Sequence, residues 1–508
     1  VIQSKLNLRQ KRQVEAMKYI ATFDIGTTAV KGVLVSVEGI AVFTKSINIE
    51  TIFEGDFKEQ NPLDWYKAFC EISKEYFANG YSPEDIIGIA MSGQMQDLIP
   101  VDKSGINVGN AILYSDGRAE KQSKEIAEIV GSEEILKSTG NNFDGSMPFA
   151  KLLWLKQNRF NDYKNTYKVV ISSKDYVILR LTGAYVTDVT TGATAGLMDI
   201  HKKCWNRDWI NAVGMDKNKL PLLLHAEEQA GRVTEKASIE TGYSVGMPVY
   251  AGTGDAGATT LASGIASDGE FNINLGTTGW VASVSSDVLP KEGVFNLASM
   301  TKNLYINVVP FFNAGNVHKW ISKTLAKDTE ENEKYDYVGK LLEESTPGSH
   351  GLMFLPYLVG ERFPIVDTQI RGGFVGITPE TTKQDMARSC LEGVAFSIRQ
   401  GIESIGRKPH KISLIGGGAQ VKVWCQIFAD VLNHEVLVYN DSEFLPSMAV
   451  AASVMVAHGI ISDYHRFTEL LKQSQNYTCY EPNPSAVQVL NKVYDTYRRI
   501  YPGFKSIK

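Results

Sequence analysis

Along most of this chain, short runs of alternating or continuous apolar residues end in glycine turns, and stretches with apolar residues at helical spacing follow them. Residues 19–23 read as a strand, residues 24–28 interrupt it with a glycine turn, and residues 30–37 resume it, which is a β-hairpin pattern. Asn61 and Pro62 open a helix, with proline at its first position and Trp65, Phe69 and Ile72 on one face. Residues 86–90 read as a buried strand. Further on, residues 271–275 form a strand-like run ended by Gly276. Thr381 and Gln384 make the capping box of a long helix whose core stripe is Leu391, Val394, Ile398 and Ile402. Residues 412–415 are a strand ended by Gly416-Gly417-Gly418, and residues 423–432 and 448–458 read as helices. The predicted class is α/β.

One pattern occurs twice. Phe23-Asp24-Ile25-Gly26-Thr27-Thr28 is echoed by Ile273-Asn274-Leu275-Gly276-Thr277-Thr278, half a chain away. A duplicated domain explains such an echo, and 508 residues hold two large domains. No low-complexity linker separates them, and the expected boundary lies near residues 262–264. The expected organisation is an N-terminal extension over residues 1–17, a first domain over 18–262 and a second over 263–508. Residues 1–17 are polar and basic, without the apolar core of a secretory signal, and read as dispensable.

Composition narrows the function. Apolar residues make up 43% and charged residues 21%, as in a folded globular protein. A formal charge of −5 gives no basic field for nucleic acid. No run of apolar residues is long enough to span a membrane. The five cysteines form no CxxC pair, so neither a disulfide framework nor a zinc site is expected, and a cytoplasmic location is.

The chemistry concentrates in glycine-rich segments. A Gly-Thr-Thr turn lets the backbone approach an anion closely and aims N–H and hydroxyl donors at one point. Two such turns, one per domain, are suited to holding a polyphosphate; each alone also reads as an ordinary hairpin turn. Asp24 in the first copy is Asn274 in the second. A carboxylate beside phosphate requires a cation between them, which suggests Mg²⁺ near Asp24. In Ala251-Gly252-Thr253-Gly254-Asp255-Ala256-Gly257-Ala258, Asp255 stands among small residues where a substrate hydroxyl can reach it as a base, or it caps a helix beginning near Ala256. Gly416 to Gln420 join a strand to a helix, a place suited to a nucleotide. No GxxxxGK[ST] is present, and the Gly416–Gln420 segment is not a GxGxxG and has no suitably placed acid after it, so a dinucleotide fold is disfavoured. Two polar stretches, Ser92 to Asp97 and Tyr114 to Arg118, supply donors and acceptors of the kind sugar hydroxyls need.

Taken in order, the segments FDIGTTAVKGVLV (23–35), SGQMQDLIPVD (92–102), AILYSDGRA (111–119), PFAKLLWLK (148–156), AGTGDAGA (251–258), NLGTTG (274–279), FLPYLVGERFP (354–364), GGFVGIT (372–378), ARSCLEGVAFSIRQG (387–401) and LIGGGAQVKVWCQIFAD (414–430) resemble the FGGY carbohydrate kinases, xylulokinases above all. The resemblance runs from about Lys18 to about Gly459. It implies a duplicated actin-like, ribonuclease-H-like ATPase fold with two domains around a central cleft, the sugar mostly on the first and ATP mostly on the second. It implies ATP and Mg²⁺ as cofactors, Asp24 as the metal-associated residue and Asp255 as the catalytic base. Thr27, Thr28, Gly276, Thr277 and Thr278 match the phosphate turns, and Gly416, Gly417, Gly418 and Ala419 the adenosine segment. Met95, Gln96, Asp116 and Arg118, with Asp255, fall in the sugar-reading segments. The implied partner is a small sugar, and homodimers are common in the family. Two positions depart from the xylulokinase pattern. Gln96 stands where a histidine is usual, and Ala256 where an asparagine is usual. D-Xylulose or a related ketose is the expected substrate, with L-fuculose, L-ribulose and gluconate as alternatives. An actin-like ATP-binding sugar sensor is the rival without catalysis; a chaperone-type ATPase of the same fold is disfavoured by the sugar segments.

Overall fold

The computed structural model describes residues 17–439, 444–474 and 477–505. The extension expected over residues 1–17 lies outside them, except for Met17. The first strand, β1 (Tyr19–Ile25), buries Ile20, Ala21, Phe23 and Ile25 completely. It pairs antiparallel with β2 (Ala29–Ser36), and β2 with β3 (Ala41–Asn48). Asn61 caps the next helix, α1 (Pro62–Ala78), accepting from the Leu63 N–H at 3.2 Å. Trp65, Phe69 and Ile72 face the sheet, and the Phe69 ring lies 4.2 Å from that of Phe23. At Gly32 of β2 a Cβ would stand 2.4 Å from Ile72 Cγ2, so glycine sets the approach of helix to sheet.

β4 (Ile86–Gly93) pairs parallel with β1 on its other side. It continues beyond the 90th residue predicted, and the chain then turns into β5 (Met95–Val101). After α2 (Pro148–Asn158), β6 (Lys168–Ser172) pairs antiparallel with β5 and leads into α3 (Ser173–Thr182). β7 (Gln229–Arg232), β8 (Pro248–Tyr250) and the two-residue strand Thr253–Gly254, which pairs with β4, complete the first sheet, and α4 (Asp255–Ala262) follows.

The second sheet is built from β9 (Glu270–Leu275), β10 (Gly279–Ser285), β11 (Tyr305–Phe311), β12 (Lys411–Ile415), β13 (Val436–Tyr439) and β14 (Tyr477–Tyr480), with a seventh strand, Phe295–Ala298, at the edge beside β11. The helices α5 (Gly315–Leu325) and α6 (Lys383–Ile405) pack in its core. Six of the seven strands in each sheet run in matching order, β3–β2–β1–β4–β8–β7 in the first and β11–β10–β9–β12–β13–β14 in the second. The pairings run antiparallel, antiparallel, parallel, parallel, antiparallel in both. The echo in the sequence is thus a repeat of a whole sheet.

By internal packing the chain falls into two units. The first is Val1–Ala262 with Leu297–Asn303 and Glu443–Ser474; the second is Ser263–Asn296 with Leu304–Ser442 and Gln475–Lys508. Two predicted elements shift. The capping box of α6 is made by Thr382 and Asp385, not by Thr381 and Gln384. Thr381 Oγ1 instead accepts from the Thr378 N–H at 2.9 Å, closing the preceding turn. The helix read over residues 448–458 is two helices, Leu445–Ala449 and Ala451–Ala457. Ser453 donates to the Val450 carbonyl from both its N–H (3.1 Å) and its hydroxyl (2.6 Å), and this local bonding competes with the regular ladder. Among the described residues no helix is long and apolar enough to cross a membrane.

Candidate active site

In the first unit three strands bring the acidic residues together. Asp24 is in register with Ser92, and Ser92 with Thr253, two residues before Asp255. Asp24 Oδ1 accepts from the Ser92 hydroxyl at 2.8 Å. Burial raises the Asp24 carboxyl, opposed by the Ser92 bond and by Lys31. Asp255 begins α4, and its Oδ1 accepts from the adjacent Ala256 N–H at 2.7 Å. Its side chain is open to solvent at the tip. Even so, the surrounding protein first, and then the charge of Asp24, push it up to about 7. A carboxylate in that range holds a proton far better than an ordinary one, which is what a general base requires.

The loop carrying Asp255 lies against β4 and β5. At Gly252, where φ is +62°, a Cβ would sit 2.0 Å from the Met91 carbonyl oxygen. A Cβ on Gly254 would sit 2.0 Å from Met95 Sδ, so Met95 packs directly beside the catalytic candidate. Behind the loop, Asp188 accepts from the Thr190 and Thr191 N–H groups and from Lys174 Nζ at 2.9 Å. Lys174 also bonds Asp175 at 2.6 Å, and all three charged side chains are buried. Sequence reasoning missed this triad. Its readable signal is Asp188-Val189-Thr190-Thr191, an acid followed by threonines at a helix start.

The first Gly-Thr-Thr turn is braced from within. Thr27 donates its hydroxyl to Gln94 Oε1 (2.5 Å), Gln94 donates to Gln60 Oε1 (2.9 Å), and Gln60 donates to the Thr27 carbonyl (2.7 Å). The Thr27 hydroxyl proton is therefore engaged inside the protein, while Thr28 is exposed. Gln96 has φ +68° and donates to Ser146 Oγ at 2.8 Å; Ser146 donates in turn to Asp144. Asp116 and Arg118 are turned inward. Arg118 pairs with Asp116 through Nε (2.9 Å) and Nη2 (2.6 Å) and with Glu59 through Nη1 (2.8 Å), between the rings of Phe57 and Trp154. Their side chains are 0% and 1% exposed, so the pair shapes a wall and offers no surface to a ligand.

In the second unit Gly276, Thr277, Gly417 and Gly418 line one cavity of about 980 Å³, a volume suited to a nucleotide. The start of α5 closes on the turn, with the Gly315 N–H bonded to the Gly276 carbonyl (2.9 Å) and the Asn316 N–H to the Thr277 carbonyl (3.0 Å). Gly416 has φ +91°, and a Cβ there would lie 2.8 Å from the Leu275 backbone. Thr278 is exposed, and neither it nor Ala419 lines the cavity; the Ala419 carbonyl accepts from Cys425 Sγ. Sequence reasoning missed Asn316, Lys319, Tyr335 and His318 on the cavity wall. His318 is buried against the rings of Tyr335 and Trp424, and burial pulls its imidazole down to about 4. The discoverable signal was Ala314-Gly315-Asn316 at the start of a helix. Among the described residues no group of three or more His, Cys, Asp or Glu side chains forms a metal cage. A cation at Asp24 would keep most of its water, which fits Mg²⁺ better than a fully ligated metal.

Comparison with known proteins agrees with this layout. Residues 19–262 match the N-terminal domain, and residues 271–452 the C-terminal domain, of the FGGY family of carbohydrate kinases. The chain is 30% identical to a xylulose kinase of Bacillus subtilis, over 97% of this chain and 98% of that one. It is 26% identical to a gluconokinase of the same organism, over 95% and 96%. The crystal structure of ligand-bound xylulose kinase from Lactobacillus acidophilus superposes with a TM-score of 0.85 at 26% identity, over 96% of this chain and 99% of that one. With two domain models covering most of its length and its sheet duplicated as that fold requires, the chain belongs to the FGGY family of carbohydrate kinases.

Proposed function

We propose that this kinase transfers the γ-phosphoryl group of ATP to the primary hydroxyl of D-xylulose or a closely related ketose, with Asp255 as the base. The observation that carries the reading is the position of Asp255: first residue of α4, beside Met95, its carboxyl pushed up to about 7 by the protein crowded around it and by Asp24. Asp255 takes the hydroxyl proton as the oxygen attacks phosphorus. The bond from phosphorus to the β,γ-bridging oxygen breaks, and ADP leaves. Gly276 and Thr277 donate to the phosphates, and Gly417 and Gly418 form the adenosine side of the cavity. When bound near Asp24, Mg²⁺ neutralises phosphate charge. Met95 and Gln96 read the sugar, while Asp116 and Arg118 hold the wall behind it.

The choice of sugar turns on Gln96 and Ala256, where a polar pocket has exchanged one hydrogen-bonding group and lost another. The xylulose kinase relatives support a ketose; the gluconokinase relative supports gluconate as the second reading. ADP release with Mg·ATP across D-xylulose, L-fuculose, L-ribulose, gluconate and glycerol tests this directly. A dominant response to D-xylulose upholds the proposal. A dominant response to gluconate overturns the ketose assignment, and no response above the sugar-free rate overturns both.

A further inference from the structure

Lys151 of α2 is an amine with no exposed surface. Its Nζ donates to two backbone carbonyls, those of Gln96 (3.0 Å) and Leu113 (2.7 Å). A buried cation is costly, and an apolar side chain of similar volume would serve packing as well or better. Its principal charged neighbour is Asp97, itself fully buried, and Lys151 is in turn the principal charged neighbour of Asp97. Asp97 Oδ1 accepts from the Tyr114 N–H at 3.0 Å. The two residues thus tie together, in opposite directions, the two polar stretches that the sequence singles out. Lysine links residue 96 to residue 113, and aspartate links residue 97 to residue 114. Between them sits Gln96, held at φ +68°, a conformation costly for a residue with a Cβ. The ladder between β5 and β6 shifts register from Met95 to Ile99, so regular pairing does not impose that conformation.

We propose that Lys151 is a positioning residue for sugar selection: by drawing back the Gln96 carbonyl it locks Gln96 in its left-handed conformation and aims the carboxamide, steadied by Ser146, at the substrate. The proposal rests on the reading above in which Met95 and Gln96 face the sugar. Asp97 is the principal ionisable neighbour of the buried ammonium, and burial pushes its own carboxyl well above the ordinary range.

The test compares wild type, Lys151→Met and Lys151→Met/Asp97→Asn by steady-state kinetics with D-xylulose and ATP, by Tm, and by a crystal structure of the double variant. The double variant removes both buried ionisable groups together, so it tests the loss of Lys151 without leaving the Asp97 carboxyl buried beside an apolar side chain. The expected result is a KM for D-xylulose raised about tenfold or more, discrimination against the other panel sugars narrowed by a similar factor, and an ATP KM within about twofold of wild type. The crystal structure is expected to show Gln96 at negative φ. An unchanged sugar KM in a folded variant overturns the proposal, as does a parallel loss in both KM values and kcat that follows the fall in Tm. If wild type phosphorylates no sugar of the panel, the functional reading falls, and the structure still decides this one: Gln96 remaining at positive φ without Lys151 overturns it.

Discussion

Asp255 carries the sharpest predictions. Asp255→Asn keeps the fold and ATP binding, and kcat drops by about 10²–10⁴ because only the proton acceptor is lost; single-turnover transfer with ATP affinity measured in parallel checks this. Because its carboxyl is raised, it gains a proton as the pH falls toward 7. We expect kcat/KM for the sugar to fall on the acid side with a one-proton slope, at a midpoint well above the ordinary carboxylate range and at most about 7. Removing the neighbouring negative charge with Asp24→Asn lowers the Asp255 pKa and moves that limb to more acid pH. A limb that stays in place would show the two carboxylates to be uncoupled. At this scale the glycine-rich segments made legible that Asp24 and Asp255 belong together, and the structure sets their strands side by side through Ser92. The sequence was not legible where orientation decides. Nothing in Ser115-Asp116-Gly117-Arg118 tells that Arg118 turns inward to Asp116 and Glu59, because Glu59 is distant in sequence. The Thr27 hydroxyl is likewise engaged by Gln94, across a turn between strands.

Helix ends show how local competition moves a boundary. Both Thr381 and Thr382 can cap α6, and each has a candidate partner three residues on. Thr382 prevails because Asp385 returns two bonds, accepting from the Thr382 N–H (3.0 Å) and hydroxyl (2.7 Å), while Thr381 closes the turn before. Thr382→Ala is expected to cost about 1 kcal/mol, and Thr381→Ala less, in denaturant unfolding. The Thr382 bonds, with His350 against the same carboxylate, hold Asp385 below its ordinary value. A depressed carboxylate stabilises the fold above its unfolded pKa, and that contribution is lost as pH falls through the lower folded pKa. The Thr382→Ala deficit therefore narrows in acid, and a deficit independent of pH argues against the cap. Element type was readable from periodicity throughout α1 and α6. The break at Val450 was not, because it depends on which way the Ser453 hydroxyl turns.

On the scale of the whole molecule, the repeat was visible in six residues of sequence and proved to extend to six strands in matching order. The copies have diverged at one telling position, Asp24 against Asn274. In both, the side-chain oxygen stands at the same distance, 3.9 Å, from a Cβ built on the turn glycine. The scaffold is therefore kept while the charge differs. On the proposed role of the second turn, Asn274→Asp would set a carboxylate beside its phosphate-binding donors, and we expect the KM for Mg·ATP to rise about tenfold with the sugar KM little changed. Equal ATP affinity in that variant would remove the second turn from the phosphate site. The repeat itself was legible because both copies keep Gly-Thr-Thr. The exact membership of each unit was not, since Glu443–Ser474 joins the first unit from far along the chain.

That late contribution has a consequence during synthesis. The helix Leu445–Ala449 packs on β1 and β2, so the first unit emerges from the ribosome without part of its own core covering. More than two hundred residues must still be translated between Ala262 and Ser474, a wait of roughly 10–40 s at ordinary elongation rates. For that interval the nascent sheet has apolar surface open to chaperones or to aggregation. Codon choice downstream of residue 262 thus bears on the yield of folded enzyme, even though it lies outside the segment it affects.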